Sequence, residues 1–190
     1  MRVVIAGAHG QVARRLGRLL SSRGDSVAGI VRNPDHRADL ESDGVQPVVL
    51  DLERATVDEV TAVVSGADAA ERAGVRPYLL VSSMGVELAR QGNPPGMDPV
   101  FAAYLQAKLA AEDRILPRPA LDTTIVRPGQ LTDGPGTGRV TLAHGVERGE
   151  VPRDDVAAVL LALLDSGKSG EVVELVSGDT PVAEAVAALP

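Results

Sequence analysis

The chain has 190 residues, of which 44% are apolar and 24% charged, a balance that predicts one globular domain. Its formal net charge of −7 argues against nucleic-acid binding, because affinity for phosphate backbones depends on Lys and Arg. The sequence has no Cys, which excludes thiolate metal sites and a Cys nucleophile. The three histidines, His9, His36 and His144, are scattered, so we expect no metal site.

The first residues, MRVVIAGAHG, begin with a basic residue and a short apolar run. Glycines and a His interrupt this run before the core of a signal peptide can develop. No apolar stretch reaches the length of about 18 residues that a membrane span usually requires. We therefore expect a cytoplasmic protein that associates with neither membranes nor nucleic acids.

Short β-branched runs alternate with amphipathic stretches along the chain. The predicted strands are 2–6, 26–32, 46–50, 77–82, 123–127, 139–143 and 171–176, and the predicted helices are 11–23, 56–65, 100–116 and 153–165. Strands that alternate with helices pair in parallel through right-handed crossovers. The sequence predicts an α/β fold, a three-layer doubly wound parallel sheet of the Rossmann type. Residues 1–190 would form a single domain, with a small substrate-side region at about 129–155.

The first strand-to-helix turn reads GAHGQVA and spans residues 7–13. Gly7 suits a tight turn, Gly10 allows a diphosphate to approach the backbone, and Ala13 permits close packing of helix on strand. The helix start adds free N–H donors and a partial positive charge. The pattern predicts a dinucleotide site at Gly7, His9, Gly10, Gln11 and Val12, with His9 as a donor and not a catalyst. A turn with a purely structural role is the alternative.

The end of the second predicted strand, Arg32, bears on the choice of dinucleotide. Enzymes that select NAD(H) usually carry Asp or Glu here, against the ribose 2′-hydroxyl. A guanidinium can bind a 2′-phosphate through paired hydrogen bonds, so the sequence favours NADP(H), with NAD(H) as the second choice. A solvated surface charge is the alternative. Asp51 and Leu52 follow the third strand, where the adenine edge is expected, although Asp is also a common helix cap.

A second group of polar residues lies downstream. Ser82 and Ser83 close a predicted strand, and Tyr104 and Lys108 lie four residues apart on one helix face. A Lys ammonium beside a phenol favours the phenolate and can hold the nicotinamide ribose, while a Ser hydroxyl orients a carbonyl. This spacing predicts Ser83, Tyr104 and Lys108 as catalytic, with Ser82 and Lys108 also beside the cofactor. The alternative is a helix with an exposed Lys and a half-buried Tyr.

Arg127, Pro128 and Gly129 end the predicted strand 123–127. In open α/β sheets ligands collect at the carboxyl ends of the strands. The three residues are therefore predicted to line the nicotinamide site through their backbone, with a simple strand stop as the equal alternative.

The motifs GAHGQVA, VRNP, LDLE, VSSMG, YLQAK, IVRPGQLT and VPRDDVA, in this order, resemble the atypical short-chain dehydrogenase/reductases. The likeness is closest to the small NAD(P)-binding, NmrA-like and epimerase-like group, and it spans nearly the whole chain. In that family a Ser/Tyr/Lys set acts on a carbonyl or alcohol, which implies such a role for Ser83 (or Ser82), Tyr104 and Lys108.

The resemblance implies an NADP(H)-dependent oxidoreductase or epimerase-like enzyme with a small-molecule carbonyl or alcohol substrate. A second hypothesis is a non-catalytic NADP(H)-sensing regulatory protein with a protein partner. A third is a Rossmann-like fold that binds no nucleotide.

The chain departs from the resembling family after Asp68. The end of the predicted helix 56–65 and the residues after it, 63–68, run straight into Ala69–Gly74, which looks like the tail of the family's next helix but one, so one βα unit is missing. A natural deletion, an engineered one, or a segment omitted from the printed sequence would each explain this junction. If the deletion is real, we expect strand 77–82 to close up against strand 2–6 and the nicotinamide pocket to lose one wall.

Overall fold

The computed structural model describes residues 1–50, 59–92 and 94–190, so the predicted adenine contacts Asp51 and Leu52 lie outside the described residues. Strands and helices alternate along these residues. The strands are β1 (Arg2–Ala6), β2 (Ser26–Val31), β3 (Gln46–Val49), β4 (Tyr78–Val81), β5 (Thr123–Pro128), β6 (Gln130–Thr132), β7 (Arg139–Ala143), β8 (Glu150–Pro152), β9 (Val172–Ser177) and β10 (Thr180–Pro181). The helices are α1 (Gln11–Ser22), α2 (Arg37–Ser42), α3 (Glu59–Ala73), α4 (Val86–Arg90), α5 (Pro99–Ile115), α6 (Arg153–Ser166) and α7 (Val182–Ala187).

The strands of the described ranges form three sheets. The first joins β1, β2 and β3 in parallel, and the second has the order β10-β7-β9-β5-β4. β6 and β8 form a small parallel pair. In the second sheet β4, β5 and β9 are parallel, whereas β7 runs antiparallel to β9 and β10 antiparallel to β7. β7 therefore departs from the predicted parallel arrangement, because an alternating apolar pattern predicts a strand without fixing its direction.

Helices cover both faces of the second sheet. Successive strand residues point to opposite faces, and on β5 Val126 packs into the core beneath α1 and α6, whereas its neighbour Ile125 packs with Ala67 of α3 and Ile115 of α5. The α/β fold and its doubly wound, Rossmann-like form are therefore confirmed. None of the helices within the described ranges is long and apolar enough to cross a membrane.

Among the described residues, the first and second sheets do not pair through β1 and β4. β1 lies at the end of the first sheet and β4 at the end of the second, and within the described residues no ladder joins them. The expectation that strand 77–82 would pair with strand 2–6 is therefore wrong. The physical reason is packing: α1 lies along α6, and their apolar side chains form one core that holds both sheets.

Asp43, directly after α2, fixes the position of α1. Its nearly buried carboxylate accepts hydrogen bonds from Arg14 Nε at 2.6 Å and from Arg18 Nη1 at 3.0 Å. Burial raises the pKa of Asp43, but the hydrogen bonds and charges of the two arginines outweigh it and leave the pKa lowered. This ion-pair cluster therefore holds the helix that begins at the glycine-rich turn.

Replacing Asp43 by Asn is expected to lower the free energy of unfolding by about 1–3 kcal/mol near neutral pH, because two charged donors lose their partner. A carboxylate whose pKa is lower in the folded than in the unfolded protein stabilises the fold above its unfolded pKa of about 4. This stabilisation is lost as the pH falls through the pKa of the folded protein. The difference between wild type and variant should thus shrink below about pH 4 in denaturant titrations. The matched control is Asp113→Asn, which breaks an exposed pair with Arg90 and should cost at most about 1 kcal/mol. Equal losses of unfolding free energy in both variants would contradict this role of Asp43.

Candidate functional site

The glycine-rich turn between β1 and α1 has the geometry of an anion site. Gly7 adopts a left-handed conformation with φ of 69°, and the Gly10 N–H donates to the Gly7 carbonyl at 2.9 Å. Gly10 is the N-cap of α1, where no side chain makes a cap hydrogen bond and no acidic residue lies in the first turn. The N–H donors at Gln11 and Val12 therefore open a helix with no carboxylate against them, which suits a diphosphate.

The turn is fixed at the carboxyl ends of two adjacent strands. The Ala8 N–H donates to the Ile30 carbonyl of β2 at 3.1 Å, and Ala8 is buried. Arg32 stands directly after β2 and is exposed. The next residue, Asn33, accepts a hydrogen bond from the Asp35 N–H at 3.0 Å and so starts a short 3-10 helix. The residues predicted to bind the diphosphate and the 2′-phosphate thus lie at one edge of the sheet.

His9 joins this turn to α2. One ring nitrogen, Nε2, lies 2.8 Å from the Asp39 carboxylate, and the ring stacks on His36 with centroids 3.6 Å apart. The hydrogen bond with His9, followed by the charge of Arg14, lowers the pKa of Asp39. The sequence predicted His9 as a donor but missed Asp39 and His36. Their positions in the PDHRAD segment carried no periodic signal that linked them to the turn.

Tyr104 and Lys108 meet on α5 as their spacing predicts. Lys108 Nζ lies 5.5 Å from the centroid of the Tyr104 ring and donates to the Val81 carbonyl at 3.5 Å. Val81 ends β4, so the ammonium contacts the backbone of the residue that directly precedes Ser82 and Ser83. The structure therefore brings all four residues to the carboxyl edge of the second sheet.

The two serines differ in accessibility. Ser82 is buried, and its Oγ has no hydrogen-bond partner among the described residues. Ser83 is only half-buried, and its hydroxyl donates locally to the Met84 carbonyl at 3.1 Å. A substrate can reach a half-buried hydroxyl and not an enclosed one, which favours Ser83 as the residue that orients a carbonyl.

The side chain of Arg127 points toward the helices and not toward an open edge. Its guanidinium donates to both oxygens of Glu112 on α5, at 3.0 and 2.5 Å, and to Glu87 of α4 at 3.0 Å. Glu112 is completely buried, so this ion pair fastens α5 onto β5. The sequence analysis missed Glu112, although it follows Lys108 by four residues and therefore lies on the same face of the helix. That the backbone of Arg127 and Pro128 lines the nicotinamide site stays a prediction.

Gly129 has a packing reason to be glycine. A Cβ at this position would collide with the carbonyl of Gly149. The Gly129 N–H donates to the Leu175 carbonyl of β9 at 2.9 Å. Close approach of two backbones therefore explains the residue, and a contact with the cofactor stays a prediction.

The loop region after β6 is fastened to α1 and α6. The buried carboxylate of Asp155 accepts hydrogen bonds from the N–H groups of Thr137 and Gly138 at 2.9 and 2.8 Å. Arg15 of α1 donates to Asp154 at 2.7 Å. This region, which the sequence predicted as the substrate side, is therefore linked to the helix that starts at the glycine-rich turn.

Comparison with known proteins agrees with this geometry. The model of a family described as NAD(P)H-binding matches residues 7–70 and again residues 61–167. The uncharacterized sugar epimerase YhfK of Bacillus subtilis is 32% identical over 218 positions, which cover 98% of this chain and 99% of that protein. Because the alignment is longer than this chain of 190 residues, YhfK contains a stretch that the chain lacks. The two family matches overlap at residues 61–70, within α3.

Two solved structures share the whole fold. A Bacillus halodurans protein assigned to the NAD-dependent epimerase/dehydratases has a TM-score of 0.86 and 31% identity, with 100% of both chains covered. ChuY of Escherichia coli O157:H7, an anaerobilin reductase, has a TM-score of 0.82 and 25% identity, with coverage of 94% of this chain and 98% of ChuY. The sequence relatives and the solved structures therefore agree with the family that the motifs indicate. The chain belongs to the NAD(P)H-binding family of atypical short-chain dehydrogenase/reductases, in its epimerase-like and NmrA-like group.

Proposed function

We propose that the protein is an NADP(H)-dependent oxidoreductase that acts on a small carbonyl or alcohol substrate beside Tyr104. The observation that carries this proposal is the placement of Lys108, which lies against the Tyr104 ring and next to the residues that precede Ser83. An ammonium, a phenol and an accessible hydroxyl at one sheet edge are the groups needed to move a proton on and off a carbonyl oxygen.

In this proposal each side chain has one task. Bound NADP(H) would supply or accept a hydride at the substrate carbon. The Tyr104 hydroxyl would donate a proton to the carbonyl oxygen in reduction and remove it in oxidation. Lys108 would stabilise the phenolate that results and hold the nicotinamide ribose. The Ser83 hydroxyl would donate a hydrogen bond to the carbonyl oxygen and so orient the substrate.

The dinucleotide would lie along the carboxyl edge of the sheet. Its diphosphate would accept hydrogen bonds from the N–H groups at the start of α1, next to Gly10. Arg32 would bind the 2′-phosphate from the end of β2. These assignments fit the structure, since the first turn of α1 carries no carboxylate and no side-chain cap that would compete with a phosphate.

A turnover assay tests the proposal directly. NADPH consumption would be followed by absorbance with a panel of aldehydes, ketones and quinones, and NADP⁺ reduction with the matching alcohols. Turnover with at least one carbonyl class that disappears in Lys108→Met would support the mechanism. Turnover that Lys108→Met leaves unchanged would contradict the role given to Lys108.

Replacing Arg32 by Ala is expected to weaken NADPH binding by roughly 10- to 100-fold, because a hydrogen-bonded ion pair contributes about 1.5–3 kcal/mol. NADH binding should change by less than about threefold, since NADH lacks the 2′-phosphate. Calorimetric titration of both nucleotides measures the two effects. Arg37→Ala, which removes a nearby exposed charge on α2, is the matched control for general electrostatics. Equal weakening of NADPH and NADH in Arg32→Ala would show that Arg32 does not read the 2′-phosphate.

A further inference from the structure

Tyr104 has an aromatic neighbour at the candidate site. Phe101 precedes Tyr104 by three residues on α5, so the two side chains share one face of the helix. Their ring centroids are 6.1 Å apart, and the ring planes differ by 20°. Phe101 is half-buried, whereas Tyr104 is 38% exposed. The Phe101 ring therefore borders the phenol that is the proposed proton donor.

A cation from another part of the chain lies over this ring. Arg148, in the loop 144–149 between β7 and β8, places its guanidinium carbon 6.0 Å from the centroid of Phe101. Contact between a guanidinium and the face of an aromatic ring leaves N–H groups at the edge of the guanidinium available for hydrogen bonds. Two successive ring contacts thus connect the Arg148 cation with Tyr104.

The loop that carries Arg148 is fixed on both sides of this residue. The Val146 N–H donates to the Glu174 carboxylate of β9 at 2.7 Å. The Gly149 carbonyl accepts a hydrogen bond from the Gln130 N–H at 2.9 Å. Gln130 begins β6 two residues after the carboxyl end of β5, so the second anchor lies at the sheet edge that carries the candidate site. The position of Arg148 is therefore set by the fold.

Arg148 also differs from Arg127 in its charge partners. Arg127 is paired with the buried carboxylate of Glu112. Arg148 is exposed, and it forms no salt bridge with any residue that the structure describes, although Glu147 and Glu150 lie close to it in sequence. A guanidinium with open N–H edges binds a carboxylate through two parallel hydrogen bonds. The cation beside the site is therefore available to an anionic group of a ligand.

We propose that the substrate carries a carboxylate in addition to its reacting carbonyl, and that Arg148, held by Phe101, binds this carboxylate. The inference rests on the proposed function, because it names the substrate class of the same site. The carboxylate does not react: it accepts paired hydrogen bonds from Arg148, while the carbonyl oxygen meets the hydroxyls of Tyr104 and Ser83. A second point of attachment at a distance from the reacting carbon orients the carbonyl.

The experiment compares two aldehydes of nearly the same shape, para-carboxybenzaldehyde and the neutral para-formylbenzamide, as substrates of the full chain with NADPH. We expect kcat/KM to be roughly 10- to 100-fold higher for the carboxylated aldehyde. Arg148→Met should remove this preference, mainly by raising KM for the carboxylated aldehyde. Turnover of the amide and affinity for NADPH should stay within about twofold. Arg148→Lys should keep part of the preference, because Lys retains the charge without the paired geometry.

Two further variants separate a local role of Arg148 from a general effect of charge. Arg114→Met is the matched control, since it removes an exposed arginine from the last turn of α5. It should keep the wild-type preference for the carboxylated aldehyde. Phe101→Leu should lower kcat/KM for that aldehyde by about two- to fivefold, because the ring under the guanidinium is lost. Circular dichroism checks that each variant keeps the fold.

The outcomes distinguish this inference from the proposed function. Equal kcat/KM for both aldehydes in the wild type, or an equal loss for both in Arg148→Met, would overturn the inference, while the turnover itself would support the proposed function. If neither aldehyde is turned over, para-carboxybenzaldehyde is titrated by calorimetry in the presence of NADP⁺. Binding that Arg148→Met weakens at least about tenfold would support the carboxylate site and count against the proposed reaction. Absence of binding at about millimolar concentration would overturn the inference.

Discussion

Replacing Tyr104 by Phe is expected to lower kcat by about 10²–10⁴-fold, because the proton donor and acceptor of the reaction is lost. The affinity for NADPH should stay within about twofold, since the proposed diphosphate and 2′-phosphate contacts are at α1 and β2. Steady-state kinetics with the best carbonyl substrate of the wild type, together with calorimetry of NADPH, separates the two quantities.

Tyr78→Phe is the matched control for this experiment. Tyr78, on β4, is the other tyrosine of the chain, and burial raises the pKa of its hydroxyl, which makes it a poor proton carrier near neutral pH. The Tyr78 variant should keep wild-type kcat. Full activity in Tyr104→Phe would remove Tyr104 from the mechanism, and loss of activity in both variants would point to a structural effect.

Replacing Gly10 by Val is expected to weaken binding of both NADPH and NADH by roughly 30- to 300-fold. The backbone of Gly10 has φ of −62° and ψ of 147°, which any residue tolerates, and a Cβ there would lie 3.2 Å from the Gly7 carbonyl. The fold should survive if the Gly7 carbonyl shifts by a few tenths of an ångström, while the branched side chain occupies the space needed for the diphosphate. One or two lost charge-assisted hydrogen bonds of about 1.5–3 kcal/mol each account for this range.

The control for Gly10→Val is Gly134→Val, in the loop after β6, where a Cβ meets nothing within 4 Å. That variant should bind both nucleotides as the wild type does. Calorimetry gives the affinities and thermal unfolding reports on the fold. A loss of stability without a loss of affinity in Gly10→Val would mean that the glycines serve only the turn, as a fold that binds no nucleotide requires.

The secondary structure was largely predictable because its signals are local. The apolar runs at 2–6 and 139–143 give β1 and β7 with the predicted bounds, and the helix at 11–23 differs from α1 only at its last residue. Sequence spacing also placed Tyr104 and Lys108 on one face, since residues four apart meet on a helix. The short elements α2 and α4 were missed because each has too few residues to show a period.

Contacts between distant segments could not be predicted in this way. The stack of His9 on His36 and the pair of Arg127 with Glu112 join segments that only the tertiary fold brings together. The antiparallel direction of β7 has the same origin. The pairing of strand 77–82 with strand 2–6 was predicted wrongly, because chain connectivity alone suggested closure, whereas no ladder joins β1 and β4 in the described part of the chain and α1 and α6 share one core with both sheets.

The most direct test of the dinucleotide site is a calorimetric titration of the wild-type chain with NADPH and with NADH at the same pH and salt concentration. The account predicts one site that binds NADPH in the micromolar range and at least about tenfold more tightly than NADH. Tighter binding of NADH would contradict the assignment of the 2′-phosphate to Arg32. Absence of binding for both nucleotides would contradict the central claim that the turn at Gly7 and Gly10 holds a dinucleotide.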